Sequence, residues 1–150
     1  MVFIPPPVLK ATVIAFIGDL SDRKWDSLPG YFTSDANWWT SGNPDLVTGA
    51  GTTTVTEHLP LLSGLADQFT DYSFDIVNIV GDTGRVMLEA QAKGLGPQDL
   101  VYINNITMSL KMTDAGKIAD MREYPDHVEI NWLIQWFQDH QSNSTSAKRH

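Results

Sequence analysis

The sequence contains no cysteine. Disulfide bonds, thiolate metal sites and a cysteine nucleophile are therefore excluded, and the fold depends on packing alone. Basic residues are also few, since ten lysines and arginines stand against eighteen aspartates and glutamates and give a net charge of −8. A chain of this charge repels phosphate backbones, so we expect no nucleic-acid partner.

Long apolar runs are missing as well. No segment approaches the roughly 20 apolar residues that span a bilayer, so we expect no membrane partner. The opening MVFIPPPVLK has no basic stretch before an apolar core, and its prolines break the pattern of a secretory leader, so we expect a cytoplasmic protein. A length of 150 residues with 42% hydrophobic content predicts a single domain with a sizeable core.

The first half of the chain alternates helical patterns with one strand pattern. The spacing of apolar residues and the turn signals predict helices over 7–20 and 23–28, a strand over 36–40 and a loop over 45–53. A further helix begins after Thr54, which can form a capping box with Glu57. Pro60 falls inside this helix and is expected to kink or split it.

The second half of the chain has the residue pattern of β-strands. Four segments rich in β-branched residues are separated by hairpin-length turns: 72–80, 84–92, 99–112 and 116–124. They predict an antiparallel meander, closed by a helix over 127–138 that Asp126 and Glu129 can cap. The pattern is that of an α+β domain with a core over 8–138, in which a curved antiparallel sheet wraps around helices, and a flexible polar tail over 141–150.

The strand over 100–112 carries polar groups on its apolar face. Tyr102 and Asn104 interrupt a row that otherwise reads Leu100, Ile106, Met108, Leu110. A buried amide needs hydrogen-bond partners, and an apolar pocket with a few placed polar groups is a site that uses them. The alternative is that both residues lie near the solvent-exposed end of the strand.

Two acidic residues, on different predicted strands, are candidates for the same pocket. Glu89 alternates with apolar residues in a way that favours solvent exposure. Glu123 shares one face of the last strand with Met121, and periodicity does not say whether that face is buried.

The tryptophans are candidates for pocket walls or for the core. Trp38 and Trp39 point to opposite sides of their strand, so one of them packs inside. Trp132 and Trp136 share one side of the closing helix, away from its aliphatic stripe. That side is either a pocket wall or a subunit interface.

Motifs for other chemistries are absent. The sequence has no HExxH, no phosphate-binding P-loop and no GxSxG, and its four histidines lack the spacing of metal ligands. We therefore expect neither a metal site nor a resident cofactor.

The segments FTSDANWWTSG and GKIADMREYPD, together with Tyr102-Ile103-Asn104 and the order of elements, resemble the SnoaL-like group. This group belongs to the ketosteroid-isomerase and nuclear-transport-factor-2 superfamily, and the resemblance covers about residues 8–137. It implies a cone in which a curved sheet and three helices enclose a deep apolar cavity. It also implies a dimer formed through the outer sheet face, where Val86, Val101 and Ile103 could be partly apolar.

The resemblance also implies a site. Polyketide cyclases of this type carry an acidic general base on the last strand, at the position of Glu123, and limonene epoxide hydrolases match an acid there too. Tyr102, Asn104 and His58 would then hold a developing oxyanion. The pocket lining implied for an apolar small-molecule substrate is Trp38, Trp39, Thr40, Glu89, Met108, Met121 and Trp132.

The differences from the family's sequence patterns narrow the choice of reaction. Ketosteroid isomerases place their base where this chain has Thr40, and the tyrosine of their first helix has no counterpart before Tyr31. Epoxide hydrolases use an Arg-x-Asp where this chain reads Glu89-Ala90-Gln91. The hypothesis is a cofactor-independent isomerase or cyclase. The alternatives are an epoxide hydrolase in which Glu89 and Glu123 share one water, and a ligand-binding or dimerisation module without chemistry.

Overall fold

The computed structural model describes the backbone of residues 6–146 and the side chains of residues 7–140. Over this part of the chain the elements are, in order, α1 (Pro6–Ser21), a 3-10 helix (Trp25–Tyr31), β1 (Phe32–Thr40), β2 (Gly51–Thr54), α2 (Val55–Ala66), β3 (Asp71–Asp82), β4 (Arg85–Leu95), β5 (Val101–Met112), β6 (Ile118–Tyr124) and α3 (His127–Ser146). None of the described helices is both long and apolar enough to cross a bilayer.

The described strands form one sheet of six, in the order β2-β1-β6-β5-β4-β3. The sheet is curved and unclosed, and helices cover its inner face. The α+β prediction of a curved sheet around helices is therefore confirmed. One pairing departs from the predicted antiparallel sheet, because β1 runs parallel to β6. Parallel neighbours need a long crossover, and here the whole chain between β1 and β6 supplies it.

The core lies between the helices and the inner sheet face. The apolar stripe of α1 is buried by this packing and includes Val13 and Phe16, which are fully enclosed. Strand β5 alternates as predicted: Leu100, Tyr102, Asn104, Ile106, Met108 and Leu110 are all buried, while Val101, Ile103 and Asn105 are exposed. The period of two in the sequence thus gave the correct inner face of this strand.

Several boundaries differ from the predictions. The short second helix is a 3-10 turn that includes Pro29, and β1 begins at Phe32. The predicted loop over 45–53 contains the start of β2, an edge strand too short to show a period. Helix α2 has the predicted Thr54–Glu57 capping box but runs through Pro60 without a break.

The closing helix is longer than predicted. Its backbone continues to Ser146, so residues 141–146 of the predicted tail are helical, and residues 147–150 lie outside the described part of the chain. The run of Asn, Ser and Thr predicted an end near 138, but helix propensity is a weak signal. The helix start has one predicted cap, since the Asp126 side chain accepts the Val128 amide at 2.9 Å.

Candidate active site

Two adjoining cavities lie between the inner sheet face and helices α2 and α3. The inner chamber has apolar walls and leaves about 520 Å³ free of protein atoms, part of it open to solvent. The outer chamber opens further and measures about 880 Å³ with its mouth included. Leu62, Leu65, Glu123 and Ile130 line both chambers, so the two meet at these residues. Glu123 is the only acidic residue among these four.

Strand pairing places Glu123 at this junction. In β6 it lies beside Thr40 of β1 and beside Met108 of β5, so these side chains share one row of the inner face. Trp38 Nε1 donates to Glu123 Oε2 at 3.1 Å, and Thr40 Oγ1 donates to Oε1 at 3.4 Å. The ambiguous face of the last strand is thus turned inward at Glu123.

The Glu123 carboxyl is in an unfavourable place for a negative charge. Burial raises its pKa to about 7, although the hydrogen bonds from Trp38 and Thr40 act in the opposite direction. The residue keeps some exposure because both chambers open on to it, while protein atoms shield the carboxyl from bulk water. A carboxyl with a pKa near neutrality can both accept and return a proton.

Tyr102 faces the inner chamber and is held by Asn104. Asn104 is fully buried; its Nδ2 donates to the Tyr102 hydroxyl at 2.8 Å and to the Asp126 carbonyl at 3.0 Å. Its Oδ1 accepts the Asp126 amide at 2.9 Å. Both amide hydrogens of Asn104 are therefore used within the protein, where they hold Tyr102 and the start of α3. The Tyr102 hydroxyl accepts from Asn104 and keeps its own hydrogen for a further acceptor.

A second tyrosine, missed in the sequence, lines the same chamber. Tyr72 of β3 is aligned with Gly94 and Tyr102 across three strands. The ring of Phe69 stacks on both tyrosines, with centroids 6.0 Å from Tyr72 and 5.7 Å from Tyr102. Burial raises the pKa of both phenols, and that of Tyr102 reaches about 12, so both are neutral donors. The alternation of Tyr72, Phe74 and Ile76 was the signal that could have revealed it.

His58 lines the outer chamber from α2. It is buried and stacks on Trp38 with ring centroids 4.1 Å apart. Burial lowers its pKa to about 4, so the imidazole is neutral near pH 7. A neutral imidazole holds one ring hydrogen, on Nδ1 or on Nε2.

Four predicted pocket residues lie elsewhere. Trp39 is on the outer sheet face, where its ring lies 3.8 Å from the Arg122 guanidinium carbon. Glu89 is exposed on the outer face as well, and Trp132 is 46% exposed on α3. Met121 does face inward but is fully buried in the packed core beside Trp38 and not on a chamber wall. Alternation along β1 and β4 puts Trp39 and Glu89 outside.

The outer sheet face is partly apolar. Val101 and Ile103 are 55% and 45% exposed there, as the predicted dimer surface requires. Val86 is different, because it is fully buried on the inner face. Dimerisation through this face stays a prediction.

The shifted pKa values of Glu123 and His58 have opposite effects on how the free energy of unfolding depends on pH. Between pH 4.5 and about 7 the folded chain retains a Glu123 proton that the unfolded chain has lost, so this group lowers the free energy of unfolding as the pH rises. Between about pH 4 and 6.5 His58 is protonated in the unfolded chain and not in the folded chain. Its contribution to the free energy of unfolding therefore increases as the pH rises through that range.

Replacing either side chain should therefore change how the free energy of unfolding depends on pH, in opposite directions for the two residues. Relative to the wild type, the free energy of unfolding of Glu123→Gln is expected to increase with pH by about 2 kcal/mol between pH 4.5 and 7. That of His58→Phe should decrease by a similar amount between pH 4 and 6.5. Urea unfolding at a series of pH values measures both differences. Parallel curves for all three proteins would contradict the assigned pKa directions.

Among the described residues, no group of three His, Asp or Glu side chains is arranged to hold a metal ion. The polar side-chain groups that line the chambers are one carboxyl, two phenols, one imidazole, the Trp38 indole N–H, the Thr40 and Thr48 hydroxyls and the Gln68 amide. This set can transfer a proton and stabilise a developing oxyanion by hydrogen bonds.

Comparison with known proteins gives limited sequence similarity. No protein-family model matches the chain. UPF0523 protein C of Dictyostelium discoideum is 27% identical over 95 residues, which make up 62% of this chain and 61% of that protein. The match thus spans about three fifths of the length of this curated relative.

Similarity to solved structures is extensive. PrhC from Penicillium brasilianum superposes with a TM-score of 0.77 at 15% identity, over 89% of each chain. TerC, crystallised with polyporic acid, gives 0.69 at 16% identity, over 85% of this chain and 98% of its own. A Shewanella putrefaciens protein assigned to the SnoaL-like polyketide cyclases gives 0.69 at 11% identity, over 87% of each chain. The chain has the fold of the SnoaL-like group, and the resemblance seen in its sequence is confirmed at the level of fold.

Proposed function

We propose that this chain is an isomerase or cyclase that moves a proton on an apolar, oxygenated small molecule, with Glu123 as the general base. The observation that carries this proposal is the position of Glu123, whose carboxyl is shielded between two apolar chambers and has a pKa of about 7. An exposed carboxylate would instead have favoured a module without chemistry. Enzymes of this fold that act on polyketides support the proposal by analogy.

The proposed step begins with a ketone in the inner chamber. Glu123 removes a proton from the carbon next to the carbonyl. The electron pair of that C–H bond forms a C=C bond, and the π pair of the carbonyl moves to its oxygen. The Tyr102 hydroxyl donates to this oxygen and stabilises the enolate. Where a C=C bond adjoins the deprotonated carbon, the anion is a dienolate, and protonated Glu123 returns the proton at its far carbon, which shifts the double bond. Alternatively the enolate carbon attacks a second carbonyl of the molecule and closes a ring, and the alkoxide formed there takes the proton from Glu123. The balance requires no cofactor.

The epoxide hydrolase alternative lacks support. It needs a second acid beside Glu123, and the candidate Glu89 is exposed on the opposite sheet face. Secondary-metabolite chemistry, a polyketide- or terpenoid-type substrate and residence in the cytoplasm stay proposals.

Proton exchange tests the function without knowledge of the natural substrate. The protein is incubated in D2O with a panel of apolar ketones, including menthone and para-ethylpropiophenone, and loss of the signal of the protons next to the carbonyl is followed by NMR. We expect exchange well above the rate in buffer. Ketones that bind, as judged by ligand-observed NMR, but exchange only at the buffer rate would favour a binding module.

The pH dependence of this exchange follows from the Glu123 pKa. Only the ionised carboxylate accepts a proton, so the rate should rise with pH and level off above about 7. Each pH unit well below that value should cost about tenfold in rate. A midpoint near 4.5, the ordinary value for glutamate, would contradict the proposed environment.

A further inference from the structure

His58 lines the outer chamber and has only one of its two ring nitrogens in a hydrogen bond with a described residue. Its Nδ1 lies 3.3 Å from Thr53 Oγ1, and the flat stack on Trp38 fixes the plane of the ring. Among the described residues Nε2 has no hydrogen-bond partner, and it is not sealed off from the chamber that His58 lines. The chemical character of that nitrogen therefore determines which group of a bound molecule it can contact.

The neighbouring backbone decides which nitrogen carries the hydrogen. Thr53 Oγ1 also lies 3.2 Å from the Trp38 carbonyl oxygen, which can only accept. The single hydroxyl hydrogen of Thr53 is therefore given to this carbonyl, and its oxygen is left to accept from His58 Nδ1–H. The imidazole hydrogen is thus on Nδ1, and Nε2 presents a lone pair.

The same arrangement prevents His58 from acting as predicted from the sequence. Burial keeps the ring neutral near pH 7, so Nε2 has no hydrogen to offer an oxyanion. A carbonyl or ether oxygen beside it would face another lone pair. A hydroxyl or N–H group would instead supply the missing hydrogen bond.

We propose that His58 Nε2 is a fixed hydrogen-bond acceptor that selects substrates carrying a hydroxyl group in the outer chamber. This rests on the proposed function for the view that the chambers bind one substrate. The substrate class becomes an apolar ketone whose carbonyl lies by Tyr102 in the inner chamber and whose hydroxyl lies beyond Glu123. The junction at Glu123 allows one molecule to occupy both chambers.

Two matched ketones test the selection. Para-(hydroxymethyl)propiophenone and para-ethylpropiophenone have nearly the same shape and differ in a hydroxyl against a methyl group. Their dissociation constants are measured for the wild type and for His58→Phe, which keeps the stack on Trp38 but has no acceptor. Comparing the ratio of the two constants between the wild type and the variant cancels the difference in hydrophobicity of the two ketones. We expect the preference for the hydroxyl compound to fall about tenfold in the variant. An unchanged ratio would overturn the proposal.

The tautomer is tested independently of ligand and of the variant's folding. NMR of wild-type protein labelled with 15N-histidine distinguishes a hydrogen on Nδ1 from one on Nε2 by the couplings from the ring carbons' hydrogens. Nδ1–H is expected, and Nε2–H would overturn the proposal even if neither ketone binds. Proton exchange of para-ethylpropiophenone, which has no hydroxyl group, tests Glu123 as the general base independently of His58. Exchange without hydroxyl selection rejects only the His58 proposal, and selection without exchange rejects only the proposed function.

Discussion

Glu123→Gln is expected to lower the rate of ketone proton exchange at least a hundredfold, the usual contribution of a positioned general base. Glutamine has nearly the same shape; its one oxygen can accept from Trp38 Nε1, and its NH2 group can donate to Thr40 Oγ1, so the chamber should keep its form. It cannot take up a proton near neutral pH. The measurement is the exchange rate at pH 8, where the wild-type carboxylate is ionised.

Glu89→Gln is the matched control. It makes the same chemical change on the exposed outer face, so its exchange rate should equal that of the wild type. Folding provides a second check, because Glu123→Gln removes a disfavoured buried charge and should be at least as stable as the wild type at pH 8. A stable Glu123→Gln protein with full exchange activity would reject Glu123 as the base.

Gly94→Ala is expected to destabilise the protein by about 2–3 kcal/mol and to lower its melting temperature by about 5–10 °C. A Cβ at this position would lie 2.5 Å from Cδ1 and 2.6 Å from Cε1 of Phe69. The Phe69 ring is 3% exposed and stacks on two tyrosine rings, so any shift away from the new Cβ breaks this stacking. Displacing it should also disturb Tyr102, and so reduce exchange.

Gly18→Ala is the matched control for this change. Its Cβ would meet no atom within 4 Å, and Gly18 lies inside α1, where alanine stabilises a helix by about 0.5–1 kcal/mol. A double-mutant cycle identifies the cause of the loss. If the clash with Phe69 is responsible, Gly94→Ala should cost little in a Phe69→Ala background. An equal loss of unfolding free energy in both backgrounds would mean that alanine destabilises the strand at this position independently of Phe69.

Local periodicity was enough to predict the sheet and its inner face over much of the chain. Strand β5 alternates clearly because its outer face is largely open to solvent, so Tyr102 and Asn104 were located correctly on the buried side. In β6 the alternation fails. Asp120 and Arg122 lie on the outer face but are half-buried, so the two sides of Glu123 look alike in sequence.

Non-local pairing accounts for what the sequence did not reveal. The parallel match of β1 with β6 brings Thr40 and Trp38 to Glu123 across more than eighty residues, and no local pattern encodes it. The role of His58 depends on Thr53 and on a backbone oxygen in another strand. The Tyr72 position depends on Gly94, whose missing side chain makes room for Phe69.

The attachment of α3 through Asn104 has a consequence for how this fold can diverge. Asn104 hydrogen-bonds to the backbone nitrogen and oxygen of Asp126, and to none of the described side chains of the closing helix. Ile130 and Ile134, which form part of the chamber walls, can therefore be exchanged without changing what Asn104 recognises. Descendants of such a protein can acquire new substrates by substitution along α3 while the Tyr102 hydroxyl and the Glu123 carboxyl keep their positions.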